Sequence, residues 1–92
     1  MEDYNEVINK LAYFFETLSD ITAVYPIMKA NPGISPEEVR ERMPAEHQRQ
    51  WENLDAVVEG ACEEFSVEHD ALMADIGMTI IENRLAAQHG LN

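Results

Sequence analysis

The chain has 92 residues, 46% of them hydrophobic, and sets eighteen acids against six basic residues for a formal net charge of −12. This apolar content excludes intrinsic disorder, and one domain with a modest core is the default at this length. The charge excludes nucleic acid and anionic membranes as direct partners and points instead to basic surfaces.

In chain order, Asp3 and Glu6 have capping-box spacing at the start of a first helix. Tyr4, Val7, Leu11, Phe14, Leu18, Ile21 and Tyr25 then repeat at 3, 4, 3, 4, 3, 4, with Ile8 and Phe15 widening the stripe. Pro26 disfavours helical geometry at Tyr25, so the helix kinks or stops there. Asn31-Pro32-Gly33 is a turn signal. Ser35 as N-cap, Pro36 at the first helical position and Glu38 closing the box mark the next start, with Ile34 and Val39 as a hydrophobic staple. That helix is short, because Pro44 follows Met43.

A third helix begins near Pro44 or Ala45. Its seam is Trp51, Leu54, Val58, Ala61 and Phe65, and its acids Glu52, Asp55, Glu59 and Glu63 form a second stripe. At about 100° per residue that stripe lies roughly 130° round from the seam. Ser66 is the cap available before a final helix, in which Leu72, Met73, Ile76 and Ile80 share a face adjoined by Met78, Ile81 and Leu85. Gly90 can end it. Without a break at Ser66, residues 45–88 would form one helix of about 66 Å, a length that argues for a dimer. The expected fold is all-α: a small compact bundle of about four helices, near 3–25, 35–43, 45–64 and 67–88, without a sheet. Residues 1–92 read as a single acidic α-helical domain. Phe14, Leu18, Leu54, Val58, Phe65, Ile76 and Ile80 are the expected core.

The chemistry-bearing residues form no enzymatic pattern. His47, His69 and His89 lack the Glu-x-x-His and His-x-x-x-His spacings of metal sites, and one cysteine makes no zinc knuckle. Cys62 lies beside Glu59, Glu63 and Glu64, which disfavour a thiolate. The glycines are dispersed at 33, 60, 77 and 90, so no phosphate loop is present. No catalytic, metal or cofactor site is expected. A lone cysteine implies a reducing compartment, and MEDYNEV lacks the basic-then-apolar pattern of a signal peptide, so the expected location is cytoplasmic. No apolar run is long enough for a membrane span.

NPGISPEEVRERM is similar to the second helix of a winged-helix or helix-turn-helix domain, and LDAVVEGA to the tail of such a domain's recognition helix. At that helix's position stand Glu46, Glu52 and Asp55 beside Arg49, and no basic wing follows, whereas a DNA reader presents a basic footprint. The similarity is therefore one of helix-capping pattern.

From Gln50 to Asn83 nine acids occur without a Lys or Arg, whereas ordinary soluble surfaces interleave both signs. Along the third helix a carboxylate falls about every 4.5–6 Å, comparable to the phosphate repeat of a nucleic-acid strand. The expected function is to bind and inhibit a nucleic-acid-binding protein through Glu52, Asp55, Glu59, Glu63, Glu64, Glu68 and Asp70, with Asp75 extending the field. Phage anti-CRISPR proteins, other DNA mimics and nuclease-immunity proteins are the class with this character. The alternative is a homo-oligomeric helical adaptor, since the heptad seams and the broad apolar face of the last helix could pack between two copies.

Overall fold

The computed structural model describes residues 3–89. Five helices follow one another: α1 (Tyr4–Ile21), α2 (Val24–Ala30), α3 (Pro36–Glu41), α4 (Ala45–Phe65) and α5 (His69–His89). No strand occurs among the described residues, so the all-α bundle is as expected. The expected end at Gly90 lies outside the described residues.

The marked helix starts form as read. Asp3 accepts the backbone N–H of Glu6 at 2.8 Å, and Ser35 accepts that of Glu38 at 3.2 Å with Pro36 at the head of α3. The first expected helix, however, is two. It stops at Ile21, not at Tyr25, and Ala23 adopts a left-handed conformation at φ 57°. The ring of a helical proline clashes with the carbonyl four residues earlier, here that of Thr22. The chain turns at that carbonyl, and Pro26 then falls in the first turn of α2, where its missing donor costs no helical hydrogen bond.

Ser66 plays a role opposite to the one expected. It is the left-handed C-cap of α4, at φ 54°, and does not start α5. Val67 N–H reaches back to the Cys62 carbonyl at 3.0 Å, the reverse-turn bond of a Schellman motif. The Glu68 carbonyl accepts from Leu72 N–H at 3.0 Å to open α5. Residues 45–88 are therefore two helices, and the argument for a dimer from one long helix falls away.

Three helices carry the core. Tyr4 meets Phe65 edge-on at 5.4 Å and Phe15 meets Trp51 at 5.8 Å, so α4 runs antiparallel to α1. Along α5 the partners of α1 advance in the same sense as α1, from Asp75 against Tyr4 to Arg84 against Glu16. Leu11, Val58, Leu72 and Ile76 are fully buried, each contributing about 1.5–3 kcal/mol by removal from water. The α4 seam holds, with Trp51, Leu54, Val58 and Ala61 buried and Phe65 half-buried. The α1 seam is rotated. Ile8, Leu11, Ala12 and Thr22 are buried, while Phe14 is 46% exposed and so is not core. The side of α1 that meets α4 and α5 is centred on Ile8, Leu11 and Phe15, with Val7 half-buried at its edge. Leu18 and Ile80 are half-buried.

The assembly is flat. Its radius of gyration is 14.3 Å and its extents are 39 × 38 × 21 Å, against a radius of about 12 Å for a compact domain of this length. The last turns of α5, residues 81–88, are exposed throughout.

Candidate functional site

Of the four acids expected as a stripe on α4, three face solvent as a line. Measured round the helix, Glu52, Glu59 and Glu63 lie within about 40° of one another, while Asp55 lies about 60° from Glu52 on the side toward the buried seam. Glu52, Glu59 and Glu63 are accordingly exposed and Asp55 is half-buried. The expectation that Asp55 stands free is corrected: Arg40 of α3 grips it with two hydrogen bonds, 2.5 Å from Nη1 and 3.1 Å from Nη2. This is the bidentate fork that a guanidinium and a carboxylate form best.

Arg40 is also stacked on the core. Its guanidinium carbon stands 5.3 Å from the centroid of Trp51, a cation–π distance. The hydrogen bond to Asp55 raises the Arg40 pKa above its ordinary value; burial opposes this, and the charges of Asp55, Glu37 and Glu52 add to it. Arg40 is therefore a fixed cation. Trp51 is held from its other side by Thr22, whose buried Oγ1 accepts the indole N–H at 3.0 Å and donates to the Leu18 carbonyl at 2.7 Å. The turn at Thr22–Ala23 thus delivers the one hydroxyl that satisfies the indole.

Two clefts meet at Arg40 and Pro36. One, of about 300 Å³, is acidic: Glu37 of α3, Asp55 and Glu59 of α4 and His69 of α5 surround Arg40. Three carboxylates there stand against one guanidinium. The other, of about 350 Å³, is apolar. Phe15 of α1 and Trp51 of α4 give it two rings, Val24 and Met28 come from α2, and Val39 and Met43 come from α3 and its end. Met73 of α5, Ile34 and Pro36 complete it, and Arg40 is its charged residue. Wells of this size and lining are typical of sites that take an apolar group.

The structure divides the seven expected contact residues. Asp55 and Glu59 sit in the acidic cleft; Glu52 and Glu63 flank them along α4. Glu64 is turned by about 100° from Glu63 and leaves the line. Glu68 and Asp70 are exposed beyond the α4–α5 turn, and Asp70 is 3.7 Å from His69. Asp75 does extend onto α5, but it accepts the Tyr4 hydroxyl at 2.5 Å and so ties α5 to the start of α1. That bond first, then burial and the Asp75 and Cys62 charges, push the Tyr4 pKa up to about 12.

Arg40, Glu37, His69 and the apolar cleft carry no signal at helical spacing, because Arg40 and Asp55 are fifteen positions apart. One trace is present: Met28, Ile34 and Met43 are large apolar residues outside any long helical stripe. Among the described residues no group of His, Cys, Asp and Glu is arranged to hold a metal ion, and no helix is long and apolar enough to cross a membrane. No family model, curated protein or solved structure matches this chain.

Proposed function

We propose that this protein binds the basic surface of a nucleic-acid-binding protein and inhibits it by occupying Lys and Arg sites, in the manner of DNA mimics, anti-CRISPR proteins and nuclease-immunity proteins. The observation that carries the reading is the exposed line Glu52, Glu59, Glu63 on α4, with Glu64, Glu68 and Asp70 also exposed near the turn into α5. Asp55 contributes less to it than its neighbours, because Arg40 neutralises it. Exposed like charges at helical spacing cost a few tenths of a kcal/mol each, so the line stabilises nothing in the monomer and suits an outside cation.

The test is capture from host lysate by the parent chain and by the triple variant Glu52→Gln, Glu59→Gln, Glu63→Gln, with duplex DNA as competitor. Retained proteins should be nucleic-acid-binding, be displaced by DNA, and be lost from the variant. Association rate and salt dependence should fall together, since both arise from one field. Equal capture and inhibition by the triple variant at low salt refutes the reading.

A second reading, the homo-oligomeric adaptor, is favoured by Met78, Ile81 and Leu85. They are 56%, 53% and 49% exposed on α5. A two-fold pairing there would cover them. Sedimentation equilibrium that shows only monomer at high micromolar concentration removes it.

A further inference from the structure

We infer that the apolar cleft is an anchor site for one bulky apolar side chain of a basic helical segment, whose Lys or Arg one turn away enters the adjoining acidic cleft. This deepens the proposed function and rests on its reading of a basic partner, but it replaces bulk charge with a defined two-part pocket.

The apolar cleft is not a packing fault. It opens to solvent as a well of about 350 Å³ lined almost wholly by apolar side chains, the form of a site that takes an apolar group. Its polar groups are already matched. The Trp51 indole is bonded to Thr22, and Arg40 is forked onto Asp55, so an occupant need supply no hydrogen bond. The rings of Phe15 and Trp51 are fixed against each other, whereas Met28 at 48% exposure and Met73 are flexible thioethers that can close on different shapes.

The neighbouring cleft names the rest of the occupant. It shares Arg40 and Pro36 with the apolar one, so the two abut. Arg40 is engaged with Asp55, which leaves Glu37 and Glu59 as the exposed charges there. An apolar group is wanted on one side of Arg40 and a cation on the other. On a helix, side chains three or four residues apart sit about 5–6 Å from each other, a spacing that suits two adjoining clefts. A purely apolar ligand would leave the carboxylates unused, and a purely basic one would leave the well beside Phe15 and the exposed Met28 unfilled.

Trp51 is the only tryptophan, so its fluorescence reads the cleft directly. The probes are two tryptophan-free Lys-rich helical peptides, one with Leu at a single apolar stripe and one with Ser at those positions, and a neutral apolar dye. The Leu peptide should change Trp51 emission and bind at least tenfold more tightly than the Ser peptide. Met28→Glu, at the exposed rim, should lose that advantage with an unchanged circular-dichroism spectrum. Glu37→Gln with Glu59→Gln should weaken the Leu peptide several-fold and flatten its salt dependence, and Glu82→Gln, exposed on α5 and outside both clefts, should change the Trp51 response little. Equal binding by the two peptides, or saturation without a change in Trp51 emission, overturns the anchor and leaves the charge-based reading standing. Binding of the dye with no response to either peptide overturns the basic occupant and the charge-based reading together. Absence of all binding at low salt overturns both as well.

Discussion

Thr22 is the residue on which the aromatic part of the core depends, and Thr22→Val isolates its hydroxyl. Valine keeps the branched shape, so the change is chiefly loss of one oxygen. Thr22 is 2% exposed, and water cannot replace that oxygen without entering the core. The Leu18 carbonyl keeps the Thr22 backbone N–H at 2.9 Å and is not orphaned. The Trp51 indole N–H is orphaned, and a buried donor without a partner costs about 1–3 kcal/mol. For a chain of this size 1 kcal/mol moves the melting temperature by about 4–8 °C, so the midpoint should fall by roughly 5–20 °C. Urea unfolding followed by circular dichroism measures the difference. Thr22→Ser supplies the control, since it restores the hydroxyl and loses a methyl group worth about 1 kcal/mol. A double-mutant cycle with Trp51→Phe, which removes the N–H, separates this bond from the packing around it. In the Phe background Thr22→Val should cost close to nothing. Equal costs in the two backgrounds would refute the assignment of the hydrogen bond as the stabilising contact.

Ser66→Gly should stabilise the fold by about 0.5–1 kcal/mol, because the left-handed C-cap position penalises a side chain; a lower urea midpoint would contradict the Schellman cap. Leu54→Ala should cost about 2–5 kcal/mol while Phe14→Ala costs under about 1, a contrast that tests the rotated α1 seam. Tyr4 should titrate near 12, above the ordinary 10, in a tyrosinate absorbance titration. Because the folded state holds that proton more tightly than the unfolded one, its contribution to stability is complete below pH 10 and is lost between 10 and about 12. The fall over that window should disappear in Tyr4→Phe, and a fall of the same size in the variant would assign it elsewhere.

Helix starts are legible here because they are local chemistry. Asp3, Ser35 and Pro36 each meet a backbone donor or its absence within three residues, and each sits where its residue type implies. The end of α1 is less legible, since Pro26 acts four residues upstream through a carbonyl and not at the residue before it. Ser66 misleads for a related reason: serine is a good N-cap in extended geometry, but the tight turn after Phe65 requires the left-handed one. The acid line on α4 follows from helical angles alone, and those same angles place Asp55 nearest the seam. What they cannot supply is Arg40, which reaches Asp55 only because the connection through Met43 and Pro44 folds α3 back against α4. Burial of Ile8 over Val7 likewise depends on where α4 and α5 lie, which no spacing within α1 encodes.

The flat outline bears on how this protein moves through water. A plate with extents of 39 × 38 × 21 Å drags more solvent than a sphere of the same mass, since friction follows the longest dimensions while mass follows volume. On a sizing column calibrated with near-spherical standards, a single copy of this 10.5 kDa chain should therefore emerge ahead of its mass, in the direction of a dimer. Its translational diffusion should be correspondingly slow, while equilibrium sedimentation, which does not depend on friction, should return the mass of the chain. A slightly early peak is thus expected of one copy, whereas sedimentation at twice the chain mass would report pairing through α5.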